Sequence, residues 1–175
     1  MGIFSNLFSK KEQPTPQVAP QPEKKSKAVI KTQRHILTDI EEHMEDIMDM
    51  VDKNEDYKLK EKDLIEDDRT DEKIYQYELN ASATITPITS PGEGGMEQLQ
   101  VFVYNTHIGN IKKNSISKVK KLLDSGNIQR IDAEVSGGNY KKLRYDSGRN
   151  EYFYDELEDA FGITIEITYR EEIKE

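Results

Sequence analysis

The chain has 175 residues, of which 34% are charged and 34% hydrophobic, with a net charge of -9 and a mean hydropathy of -0.84. So little apolar material leaves a good part of the length outside any core, and no apolar run approaches the ~18 residues of a membrane-spanning helix. Cysteine is absent, which excludes disulfides and thiolate metal sites and fits a reducing, cytoplasmic compartment; no secretory h-region follows the start.

The charge is segregated along the chain. Residues 1–35 hold seven bases and two acids, and residues 39–72 hold five bases and sixteen acids. Residues 107–149 hold ten bases and four acids, and residues 150–175 two bases and nine acids. A basic middle inside an acidic chain can still bind polyanions.

In residues 1–11, Ile3, Phe4, Leu7 and Phe8 fall on one helical face ahead of Lys10 and Lys11. That pattern is either a short membrane- or partner-docking helix or an exposed tail. Residues 12–32 contain Pro14, Pro16, Pro20 and Pro22 among polar residues and read as a disordered linker. Residues 1–32 are thus expected to form a basic, proline-rich tail.

Residues 33–52 carry Ile36, Ile40, Met44, Ile47, Met48 and Val51 at helical spacing, with Asp and Glu opposite. They predict an amphipathic acidic helix that packs on its own domain, on a copy of itself or on a partner. Residues 53–72 predict a charged connector. Asp52, Asn54 and Asp56 are spaced like the opening of a calcium loop, but Tyr57 and Asp63 stand where its glycine and glutamate belong.

Residues 73–175 predict one domain. Strands are expected at 74–78, 83–88 (an edge or early end at Pro87), 99–104, 108–111, 131–135, 140–145 and 163–170. A flexible loop is expected at Ser90–Gly95, a helix at about 115–125 stopped by Gly126, and a second helix at about 152–161. The fold class is α+β, mainly β: a small, partly open barrel with two short helices.

No catalytic signature is present. The GEGG glycines lack the Lys-Ser/Thr partner of a phosphate loop. His35, His43 and His107 lie far apart, and neither Ser136 nor Ser147 sits in a nucleophile elbow. The expectation is a non-enzyme with no cofactor and no metal. Lys112, Lys113, Lys120 and Lys121 surround the first predicted helix, and Lys141, Lys142 and Arg144 follow Tyr140. Lysines neutralise phosphates and tyrosines stack unpaired bases, so these eight residues are the candidate nucleic-acid contacts. The alternative is a protein-interaction adaptor working through residues 33–52, with the barrel as scaffold.

Residues 98–145 resemble the HIRAN domain. The resemblance rests on Val101-Phe102-Val103, the Ile108-Gly109-Asn110-Ile111-Lys112-Lys113 step, the helix near Val119–Leu123 and the strand from Ala133 to Gly138. The closing ITIEITY segment resembles the family's last strand. The family implies a small β-barrel that binds DNA, in its better-known members at a single-stranded 3′ end. Its Asn-Pro-Tyr-Asp-like loop has no counterpart in Ser90–Met96, and Asn110 stands where some members have histidine.

Overall fold

The computed structural model describes residues 27–89 and 97–173. The sequence expectations for residues 1–26 and for the loop at 90–96 lie outside the described residues. Strand β1 (Lys27–Thr38) leads through a 3-10 turn (Ile40–His43) into α1 (Met44–Met50). The two-residue strand β2 (Asp52–Lys53), a second 3-10 turn (Glu55–Lys58) and α2 (Glu61–Glu66) follow. Next come β3 (Ile74–Tyr75), β4 (Tyr77–Glu78), β5 (Ala81–Thr89), β6 (Glu97–Val103) and β7 (Thr106–Ile111). A third 3-10 turn (Lys113–Ser115) opens α3 (Ile116–Ser125), and β8 (Ile128–Val135), β9 (Gly138–Asp146), β10 (Glu151–Asp159) and β11 (Ile163–Ile173) complete the described chain.

Six antiparallel strands close into a barrel in the order β1-β11-β8-β5-β6-β7, and β7 returns to β1 through Leu37↔Ile111 and Thr38↔Asn110. The barrel is therefore closed, where the sequence predicted a partly open one. Its inner wall is apolar: Leu99, Val101, Val103, Ile108, Ile163, Ile165 and Ile167 are fully buried. Each such side chain contributes about 1.5–3 kcal/mol relative to exposure. A second sheet, β10-β9-β3, stands apart from the barrel wall and packs on α2 through Leu64, Ile74 and Leu143. β2 and β4 pair only with each other. No helix among the described residues is long and apolar enough to cross a membrane.

One predicted helix is a strand, and another is a strand over its first residues. The helix expected over 33–52 begins only at Met44, and β1 takes up Lys27–Thr38, including the end of the expected disordered tail. β1 pairs with β11 over ten residues, from Lys27↔Ile173 to Ile36↔Thr164. Its burial has period two: His35 and Leu37 point inward at 8% and 4% exposure, while Ile36 is 67% exposed. The helix expected at 152–161 is β10, paired residue for residue with β9. The Asp146 carboxylate accepts the Gly148 and Arg149 amides, and Tyr145 donates its hydroxyl to Asn150, which fixes that hairpin turn.

The remaining elements follow the sequence. β5 runs through Pro87, where among the described residues its one strand partner is β6, so the proline lies on a stretch with one open side. The β6–β7 turn uses Tyr104 and Asn105, both left-handed, as a two-residue hairpin requires. α3 ends on Gly126 at φ 66°. Along β11, Ile163, Ile165, Ile167 and Tyr169 are buried as expected, and Thr164 joins them.

Gly109 holds the barrel seam. Its φ is +145°, and a Cβ there would lie 2.8 Å from the Thr38 carbonyl oxygen and 3.0 Å from Ile40 Cγ2. Gly109→Ala should cost at least about 2 kcal/mol, from strain plus displacement of β1; a urea midpoint equal to that of the wild type would show that the seam tolerates a side chain.

His35 also reports on the closed barrel. Burial and the nearby Lys118 hold its pKa below the ordinary value, and its Nε2 has no hydrogen-bond partner. The unfolded chain therefore takes up the proton first as pH falls. Stability from this group is full above about pH 6.5 and is lost as pH drops toward the folded-state pKa. Urea titrations at pH 7.5 and pH 5 should show a smaller acid loss in His35→Gln than in the wild type; equal losses would place the titrating group elsewhere.

Candidate nucleic-acid interface

The structure divides the eight candidate residues between two sites. Lys112, Lys113, Lys120 and Lys121 surround one end of the barrel, whereas Tyr140, Lys141, Lys142 and Arg144 lie on β9 in the second sheet.

At the barrel end, Ile111 is buried in the core and pulls the end of β7 inward. Lys112 remains extended (φ −54°, ψ 134°), and the chain then turns through Lys113–Ser115 into α3. α3 is anchored by fully buried Val119, with Ile116, Leu122 and Leu123 packed against the core. Ser115 stands at the N-cap position of α3, but its side chain makes no capping bond to the helix. Lys112 and Lys113 are exposed and make no ion pair among the described residues. Lys121 is likewise exposed and unpaired there, but Lys120 is bound to Glu97.

Lys112 and Lys113 border a cleft of about 330 Å³, lined also by Thr38, Asp39, Gln98, Asn110, Ile111 and Ile116. Ile111 and Ile116 give it apolar walls. Asn110 donates its amide to Asp39 across 2.9 Å, while its side-chain oxygen is buried without a partner. Asp39 is placed by a left-handed backbone (φ 61°) directly after the barrel seam. The cleft thus exists only because β7 closes on β1.

The β9 residues have other work. Tyr140 is 6% exposed, meets Tyr75 edge-on at 5.6 Å and has Lys73 Nζ 4.5 Å above its ring. No face of it is open for a base to stack upon. Lys141 is equally buried; its ammonium donates to the Leu59 carbonyl at 2.6 Å and lies 4.9 Å from the Tyr154 ring centre and 5.5 Å from that of Tyr57. Burial lowers its pKa, an effect the Glu156 carboxylate opposes. Tyr154 donates its hydroxyl to the same Leu59 carbonyl, at 3.2 Å. Lys142 is paired with Asp71 at 3.2 Å and Arg144 with Asp155 at 2.9 Å. Lys141 and Lys142 tie β9 to the segment between α1 and β3, whereas Arg144 stays exposed and pairs with Asp155 of β10.

Sequence reasoning missed Thr38, Gln98 and Asn110. Asn110 alone carried a signal, as the polar residue between the glycine step and the lysine pair. No protein-family model matches the chain, and searches of curated proteins and of solved structures give no match.

Lys141→Ala leaves the Leu59 carbonyl with one donor fewer and removes the stem packed between two tyrosines. Chemical denaturation should show a loss of about 1–3 kcal/mol. Unchanged stability would mean that Lys141 does not brace the sheet.

Proposed function

We propose that the chain is a non-catalytic, cytoplasmic DNA-binding accessory module whose contact site is the cleft beside Lys112 and Lys113. The observation that supports this reading most is the placement of two exposed lysines, with no ion pair among the described residues, on the rim of a partly apolar cleft. In this arrangement an unpaired base lies against the partly exposed Ile116 at the mouth of the cleft. Lys112 and Lys113 hold the flanking phosphates, and Lys121 extends the positive surface along α3. Duplex DNA cannot offer a free base edge at such a cleft, so single strands and exposed ends are the preferred ligands. The HIRAN resemblance, centred on the same Gly109–Lys113 step, points the same way.

The adaptor reading receives less support. Ile40 and Ile47, two of the apolar residues expected to dock on a partner or on a second copy, are buried in the barrel's own core. Of that predicted face, Ile36 and Met48 remain exposed, and they lie on different elements.

Fluorescence anisotropy with a labelled single strand tests the assignment. Charge reversal of Lys112 and Lys113 together should weaken binding roughly tenfold or more at low salt and reduce the salt slope by about 1.4, the ~0.7 per phosphate contact of single strands. Reversal of Arg144, already paired with Asp155, should leave binding near wild type. The opposite ranking would move the site to the second sheet, and absence of binding at low salt would overturn the DNA reading.

A further inference from the structure

β10 is the outer strand of the second sheet, and among the described residues its one strand partner is β9. Along nine residues, its outward backbone amides and carbonyls are therefore unpaired by any described strand. Natural proteins blunt such edges with charge, bulges or a covering segment. β10 pairs in unbroken register and contains no proline or glycine. It also exposes Phe153, Tyr154 and Leu157 at 36–44%. Its only blunting device is negative charge: Glu151, Asp155, Glu156, Glu158 and Asp159, with no base.

That charge selects what can pair with the edge. A second copy of β10 would set five acids against five and be repelled. Asp155 and Asp159 are already compensated by Arg144 and Lys73, but Glu156 and Glu158 make no ion pair among the described residues. Both line a groove of about 410 Å³ with Tyr57, Gln76, Asn139 and Leu157. The same face already shows the chemistry such a groove suits, since Lys141 is held there against the rings of Tyr57 and Tyr154.

From this we infer that the free edge of β10 receives an extended basic peptide by strand addition. The peptide backbone continues the ladder, and alternate Lys or Arg side chains reach Glu156, Glu158 and the Tyr57 ring. The exposed Phe153 and Leu157 cover the apolar side chains on the other face. This contact is separate from the cleft beside Lys112 and Lys113, so the chain can hold a nucleic-acid strand and a basic polypeptide at once.

The test uses full-length protein and three labelled nonapeptides: alternating Lys and Val, the same with each Val replaced by Pro, and the same with each Lys replaced by Glu. The Lys-Val peptide should bind and slow amide exchange along β10. The Lys-Pro peptide keeps all the charge but loses every second amide donor and is held at φ of about −65° at those positions, which disfavours a continuous strand; it should bind at least roughly tenfold more weakly, as should the Glu peptide. Glu156→Lys combined with Glu158→Lys should weaken the Lys-Val peptide by a similar factor while leaving oligonucleotide binding in place. Equal binding of the Lys-Val and Lys-Pro peptides would reduce the effect to charge attraction and overturn the inference. No binding, or protection located away from β10, would overturn it as well, and so would β10 protection in a peptide-free dimer.

Discussion

The seam between β7 and β1 is the constraint on which the rest of the molecule depends. It is short, with two paired positions, yet it turns an open six-strand sheet into a barrel. Closure removes both edges of that sheet. It also brings Asp39 against Asn110 and sets Thr38 in the same cleft lining as the lysine pair, so the cleft is a product of closure. The long pairing of β1 with β11 delivers the strand to the seam, and Gly109 lets the two backbones approach there.

The two sheets achieve stability by different means. The barrel is an apolar core with a few polar residues admitted near one wall. Gln33 donates to the Tyr169 hydroxyl at 2.8 Å, and His35 is held uncharged by burial. The second sheet has a small apolar centre at Leu64, Ile74 and Leu143 and is otherwise braced by paired charges and tyrosines. Exposed pairs of this type contribute little individually, about 0–1 kcal/mol. The buried Lys141 contact is different, because breaking it removes one of the two donors on the Leu59 carbonyl and the lysine stem packed beside two tyrosines. This division explains why a chain so rich in charge can fold: acids and bases in separate sequence blocks meet across β3, β9 and β10.

Much of the barrel could be read from local pattern. β6 and β11 alternate cleanly, and α3 has helical spacing and a glycine stop. β1 and β10 could not. In β1 the isoleucine spacing from Ile36 to Ile40 imitates a helix, but the inward residues are His35 and Leu37, and the strand is specified by a partner some 130 residues away. Nonlocal pairing overrode local periodicity there. β10 offers apolar residues at 152, 153, 154 and 157, a helical pattern, and the Asp146 turn folds it back on β9 instead. The candidate site was half legible for the same reason. Lys112 and Lys113 announce themselves in sequence, but the partners that occupy Lys141, Lys142 and Arg144 come from Leu59, Asp71 and Asp155. Asn110 gains its significance only when the seam buries its side-chain oxygen.

The most direct test of this account is residue-resolved hydrogen exchange on the full-length protein, combined with cross-strand proton contacts at the seam. Closure by β1 predicts that the central amides of β1 exchange only with global unfolding, as slowly as those of β6 and β11. It also predicts close contacts from Leu37 to Ile111. Fast exchange along β1, or helical contacts among residues 33–38, would contradict the closed barrel and remove the cleft with it.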